Sequence, residues 1–241
     1  MSEHIIEVSH LRKVYASEGV EAVAVADVSL AIQKGEFVAI MGPSGSGKST
    51  LLHILGFLDR YTSGEYLFDG KEMSEYSEEE MAHVRNRKMG FVFQSFNLLG
   101  RTSVLENVKL PLLYSGIPES QWQKRAEKAI RAVGLEHRME HHPSQLSGGE
   151  KQRAAIARAL VTDPQVIFAD EPTGNLDSKS GQLVMETIQH LNEDLGHTVI
   201  LITHETYTAE TAERVIRLHD GLVASDERVK HRRQAKEQFE K

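Results

Sequence analysis

The chain has 241 residues, 40% hydrophobic and 26% charged, enough for one large α/β domain or two unequal lobes. A formal charge of −7 argues against a broad nucleic-acid-binding face, and the lack of cysteine excludes disulfides, thiol catalysis and Cys-ligated metals. "MSEHIIEVSHLRK" has no apolar signal core, and no apolar run approaches the length of a membrane span, so any membrane role is expected to come through a partner.

In chain order, "HIIEVSHLRKVY" and "VAVADVSLAI" read as strands, the second with Val28, Leu30 and Ile32 alternating with polar or small residues. "EFVAIMG" is short and almost wholly apolar, the pattern of a buried strand. A helix is expected from Lys48, with Leu51, Leu52, Ile54, Leu55 and Leu58 on its inner side. "SGEYLFDG" reads as a hairpin. From Met73 to about Leu160 the pattern is mostly helical, with charged stretches such as "SEEEMAHVRNRK" and "ESQWQKRAEKAIRAVG". Strand–helix alternation then returns with "QVIFAD", a helix after Asp177, and "TVILITH". This order predicts a parallel-sheet α/β core interrupted by a helical insertion. The final "DERVKHRRQAKEQFEK" is nearly all polar and reads as a solvated or frayed helix.

The segment "GPSGSGKST" (Gly42, Pro43, Ser44, Gly45, Ser46, Gly47, Lys48, Ser49, Thr50) fits G-x-x-x-x-G-K-[ST] between a buried strand and an amphipathic helix. Its glycines let main-chain N–H groups wrap a β-phosphate, and the helix dipole adds to the attraction. Lys48 would neutralise the β- and γ-oxygens, and Ser49 offers a hydroxyl to Mg²⁺. "QVIFADEP" supplies the carboxylates such a loop needs. Asp170 is placed to hold Mg²⁺, and Glu171, one residue on, to orient or deprotonate the attacking water. To this point the sequence describes an NTPase and nothing narrower.

"LSGGEKQRAAIARAL" carries a second anion-binding feature. Ser147 and Glu150 form a capping box, which secures the helix but does not explain Gly148 and Gly149. Two residues without side chains at a helix N-terminus let an anion approach the backbone closely. On that reading, Gly149→Asp is expected to leave folding and nucleotide binding at the phosphate loop largely intact.

With "LSGGEKQR" downstream of the phosphate loop, nearly the whole chain resembles the ATP-binding cassette family. The resemblance implies a P-loop NTPase α/β fold with a parallel-sheet core, an N-terminal antiparallel β subdomain and an inserted helical subdomain. Its expected parts are a catalytic lobe over about 1–93 and 162–225, a helical signature lobe over about 94–161, and a polar tail over 226–241. It implies two cassettes stacked head to tail, each ATP lying between the phosphate loop of one and Ser147, Gly148 and Gly149 of the other. By the same resemblance, Tyr15 stacks on adenine, and Gln94 links metal and water to the helical lobe. Glu171 is the catalytic base, Asp177 belongs to the loop that addresses the opposite site, and His204 contacts the γ-phosphate. The cofactors implied are ATP and Mg²⁺. Glu150 stands where Gln is frequent, placing a negative charge near an anion site.

Within the family, "FNLLGRTSVLENVKLPLLYSG" and "DEPTGNLDSKSG" resemble the lipoprotein-releasing, macrolide-exporting and cell-division cassettes. That implies a membrane permease subunit with an extracytoplasmic domain, a second cassette copy, no nucleic acid, and a place at the cytoplasmic face of a bacterial plasma membrane. Phe96, Leu98, Leu99, Val104 and Leu105 form the apolar set expected to receive a partner's helix. The alternative is an ATPase of the same family working in DNA repair or translation. His137, His141 and His142 read as a surface loop and not as a metal site.

Overall fold

Apolar alternation keeps the first part of the chain extended. In the computed structural model, which describes residues 3–17 and 20–236, β1 (His4–Ser17) and β2 (Val20–Gln33) form a long antiparallel pair. β3 (Phe37–Met41) follows and leads through the phosphate-loop segment into α1 (Lys48–Leu55). β4 (Ser63–Phe68) and β5 (Lys71–Glu72) make a hairpin that adds antiparallel to β1. α2 (Glu78–Lys88) starts at a Ser77–Glu80 capping box, and β6 (Met89–Phe93) follows directly, a strand inside the stretch expected to be mostly helical. α3 (Val104–Lys109), α4 (Trp122–Ala132) and α5 (Gly148–Leu160) form the helical lobe. β7 (Val166–Asp170), α6 (Ser178–Glu193), β8 (Thr198–Thr203), α7 (Thr206–Ala209), β9 (Arg214–His219) and β10 (Leu222–Arg228) complete the described chain.

The strands run in the order β5-β4-β1-β2-β10-β9-β3-β8-β7-β6. From β9 to β6 every pairing is parallel, so the carboxyl ends of β3, β8 and β7 lie side by side. β10 pairs antiparallel with β9 and meets β2 at Leu222 and Asp27, joining the antiparallel and parallel halves. The unbroken apolar runs follow from burial on both faces. Along β3, Phe37, Ala39 and Met41 enter one core while Val38 and Ile40 enter the other. β8 divides the same way, Val199 and Leu201 against Ile200 and Ile202.

Three expectations need correction. Leu58 is 44% exposed, because α1 ends at Leu55 and the chain turns out through Phe57 at φ 57°. Val104 and Leu105 are buried in the core beneath the helical lobe, their N–H groups donating to the His141 and Met139 carbonyls, so the apolar set after Gln94 is only partly a surface. Residues 226–236 are not a solvated helix, and the rest of that segment, 237–241, lies outside the described residues. β10 runs on to Arg228, and Arg232 donates to the Thr211 carbonyl and ion-pairs with Glu193 and Glu213 at 3.1 and 3.3 Å. Arg233 lies 4.3 Å over the Tyr207 ring, and the buried Ala235 N–H donates to Gln189 Oε1. Arg232 and Arg233 have partners on α6 and around α7, which composition alone does not reveal.

Candidate functional site

The phosphate-loop segment is shaped by what has no side chain. Gly47 has φ 95°, and a Cβ there would lie 2.2 Å from the Ala24 carbonyl oxygen. At Gly42, φ 159°, a Cβ would lie 2.3 Å from that of Leu218. No side chain caps α1, so its N-terminal dipole and free N–H groups face the loop. Lys48 is 7% exposed and donates to the Gly42 and Pro43 carbonyls at 2.8 Å each, with no carboxylate in ion-pair range among the described residues. Ser46 Oγ is buried without a partner. A buried ammonium held only by carbonyls, beside an orphan hydroxyl, is a cradle for an anion.

Adjacent strands bring in the acidic groups. At the end of β7, burial pushes the Asp170 carboxyl up from its ordinary range and the Glu171 charge adds to this, while His53 and Lys48 oppose it. Glu171 sits in the left-handed region at φ 44°, fixed by its N–H donating to the Ile202 carbonyl of β8. Its Oε1 is 2.9 Å from His204 Nδ1, at the end of β8. The donor set suits Mg²⁺: a hydroxyl at Ser49 and one half-buried carboxylate at Asp170, the rest left to phosphate oxygens and water. Among the described residues no group of three or more His, Cys, Asp or Glu could hold a metal unaided.

Tyr15 is 43% exposed, and its hydroxyl donates to Asp59 Oδ2 at 2.7 Å. Lys13 Nζ reaches Asp59 Oδ1 at 2.7 Å and lies 4.7 Å from the Tyr15 ring centroid. Sequence reasoning missed Asp59 and Lys13, because Asp59 sits in the turn after α1 and meets them only across the fold. Gln94 follows β6, but its amide rests on Gly174 and Asn175, with Nε2 3.4 Å from Asn175 Oδ1. No hydrogen bond joins it to Ser49 or Asp170. Asp177 is the N-cap of α6, its Oδ1 accepting from the Ser180 N–H at 2.9 Å.

The Ser147–Glu150 capping box is present: Glu150 N–H donates to Ser147 Oγ, and Ser147 N–H to Glu150 Oε2. Gly149 is buried, and a Cβ there would lie 2.9 Å from Ser180 Cβ. At Gly148 a Cβ would meet only the Leu176 Cδ2, at 3.1 Å. The two glycines therefore differ: Gly149 lets α5 approach α6, while Gly148 is half-buried and presents backbone. No hydrogen bond or ion pair joins either to the phosphate loop.

Arg138 resolves the charge at Glu150, its Nε donating to Glu150 Oε1 at 2.9 Å and its Nη1 lying 3.1 Å from His141 Nε2. The Ser147 N–H and then Arg138 hold the Glu150 carboxyl below the ordinary glutamate range. Because the folded state favours the carboxylate, this stabilisation is present at neutral pH and lost as pH falls through the carboxylate range. Glu150→Gln is expected to lower stability at neutral pH by less than about 1 kcal/mol, a difference that vanishes at the low-pH limit and so flattens the acid limb of the stability-versus-pH curve. An acid limb unchanged from wild type would remove Glu150 from the linkage.

A glycine loop between β3 and α1, with carboxylates at the ends of neighbouring parallel strands, defines a P-loop NTPase of α/β class. A family model described as ABC transporter matches residues 25–174, and the chain belongs to that family of ATP-hydrolysing cassettes. It is 49% identical over 219 residues to the ABC transporter ATP-binding protein YknY of Bacillus subtilis, covering 91% of this chain and 95% of that one. It is 51% identical to the macrolide export ATP-binding/permease protein MacB of Chlorobaculum tepidum, covering 92% of this chain but only 34% of that longer one. The dimeric ATP-binding cassette MJ0796, solved in a post-hydrolysis state with ADP and Pi, superposes with a TM-score of 0.85 at 42% identity, covering 94% of this chain and 99% of its own.

Proposed function

We propose that this cassette works as a head-to-tail dimer around two ATP molecules and drives a separate membrane protein. The observation that carries this is that no hydrogen bond joins the bare backbone at Gly148 to its own phosphate loop, which supports a site completed by a second chain. That the MJ0796 cassette is dimeric supports the same reading. In the dimer, Tyr15 stacks on adenine, the 42–50 loop and Lys48 cradle the phosphates, and Ser147 and Gly148 of a second copy close on the γ-phosphate. Bound Mg²⁺ would supply positive charge at the β- and γ-oxygens, held by Ser49 and Asp170, with Gln94 joining only after leaving Asn175. Glu171 takes the proton of the attacking water, and His204, already hydrogen-bonded to it, orients that carboxylate and reaches the γ-phosphate. Asp177 caps α6 beside Gly149 and so couples the signature helix to the opposite site.

Among the described residues no helix is long and apolar enough to cross a membrane, so the membrane element would be a partner. Its docking place is a groove of about 630 Å³ between α2, β6, the 110–114 turn and α5, walled by Leu58, Phe91, Leu110 and Tyr114. Leu58 and Tyr114 are 44% and 77% exposed, anchors suited to a helix-in-groove contact. The MacB relative, a macrolide export ATP-binding/permease protein, favours an exporting permease, and this cassette would then sit on the cytoplasmic face. Affinity purification of the tagged cassette from detergent-solubilised membranes, with mass identification, is expected to recover an integral membrane protein. Recovery of ribosomes or DNA-bound proteins in its place would overturn the assignment.

A further inference from the structure

We infer that the partner segment seated in the 630 Å³ groove carries a carboxylate side chain on the face it buries. The inference rests on reading that groove as the docking place of a membrane partner. It concerns the chemistry of the occupant.

Although the chain carries a net charge of −7, none of the residues lining the groove is acidic, and two are arginines, Arg85 and Arg158. Both are partly buried, and both donate to main-chain carbonyls alone. Arg85 reaches the Phe57 carbonyl at 2.7 Å, and Arg158 reaches those of Phe96 and Asn97. A guanidinium has five N–H donors, so each retains donors without a protein partner among the described residues. Burial lowers the pKa of Arg158, the sign of a cation short of counter-charge.

Of the acids near the groove in sequence, Glu80 is held by the Ser77 N–H and Lys71, and Asp163 does not line the groove. Asp59 is taken by Lys13 and Tyr15, and Glu78 by Arg60. Glu79, one turn before Ala82 on α2, does not line the groove. An apolar occupant would leave two desolvated cations uncompensated, whereas a carboxylate gains charge-assisted, fork-shaped hydrogen bonds from either arginine. The apolar and aromatic walls favour a peptide helix over a lipid headgroup, which would leave those walls unfilled.

The test uses three four-turn amphipathic peptides with an identical apolar face, differing only in a central Glu, Gln or Lys. Binding to the full-length cassette is followed by fluorescence anisotropy. The Glu peptide is expected to bind roughly tenfold tighter than the Lys peptide at low salt. Arg85→Gln should erase most of that preference without changing basal ATPase activity, and Tyr114→Ala should weaken all three peptides alike. Equal affinity of the three peptides would overturn the inference while leaving the docking reading intact. No binding by any of them, or binding indifferent to Tyr114→Ala, would overturn the docking reading and the inference with it. Arg85-dependent binding to phosphatidylglycerol vesicles, without discrimination among peptides, would assign the arginines to lipid and overturn it too.

Discussion

Glu171→Gln is expected to slow ATP turnover by about 10²–10⁴-fold while leaving nucleotide binding intact and accumulating an ATP-dependent dimer. The expectation follows from how Glu171 is held. It is the first residue beyond β7, its backbone is forced into the left-handed region, and its N–H is tied to Ile202 of the neighbouring strand. Those constraints aim the carboxylate at His204, with Oε1 2.9 Å from Nδ1. A glutamine keeps the volume and most of the hydrogen bonding but cannot accept a proton, so binding and chemistry should separate. ATP present and ADP present, compared by gel filtration, should then show a dimer only with ATP. A variant hydrolysing at the normal rate would remove Glu171 as the base, and lost nucleotide binding would give it a structural role.

The second large effect separates two neighbouring glycines. Gly148→Asp should leave the monomer folded and able to bind ATP, yet abolish dimer-dependent hydrolysis, because its side chain meets only the movable end of Leu176. Two like charges about 4 Å apart at an effective dielectric of about 20 repel by about 4 kcal/mol, enough to prevent closure on a γ-phosphate. Gly149→Asp should do more damage. A Cβ at Gly149 lies 2.9 Å from Ser180 Cβ, so even Gly149→Ala is expected to lose about 1–3 kcal/mol in urea unfolding. The sequence-based expectation that Gly149→Asp spares folding is therefore replaced by this contrast. Wild-type turnover in Gly148→Asp would sink the half-site, and equal stability of the two alanine variants would sink the α5–α6 contact.

Much of this architecture was legible in the chain. The uninterrupted apolar runs at Phe37–Met41 and Thr198–Thr203 announce strands buried on both faces, and the loop between β3 and α1 announces phosphate binding. The Ser147–Glu150 box was legible too, since capping is settled within one helical turn. These features depend on neighbours a few residues away, and periodicity or spacing encodes them directly.

What the sequence left open depends on which element covers which. Val104 and Leu105 belong to the core, whereas Leu58 and Tyr114 face outward. Local pattern states that a residue is apolar but not what lies over it. The polar tail docks because Arg232 and Arg233 find Glu193, Glu213 and Glu210 across the fold, pairs that no local window contains. Arg138 was an ordinary loop residue until the helical lobe set it against Glu150. Gly149 was spare backbone until α6 arrived beside it. By itself the sequence determined the nucleotide chemistry, because loop, capping box and strand-end acids are local patterns. Only the tertiary structure decided that Gly149 serves the packing of α5 on α6, since its neighbour Ser180 lies some thirty residues away in sequence and no local pattern contains that contact.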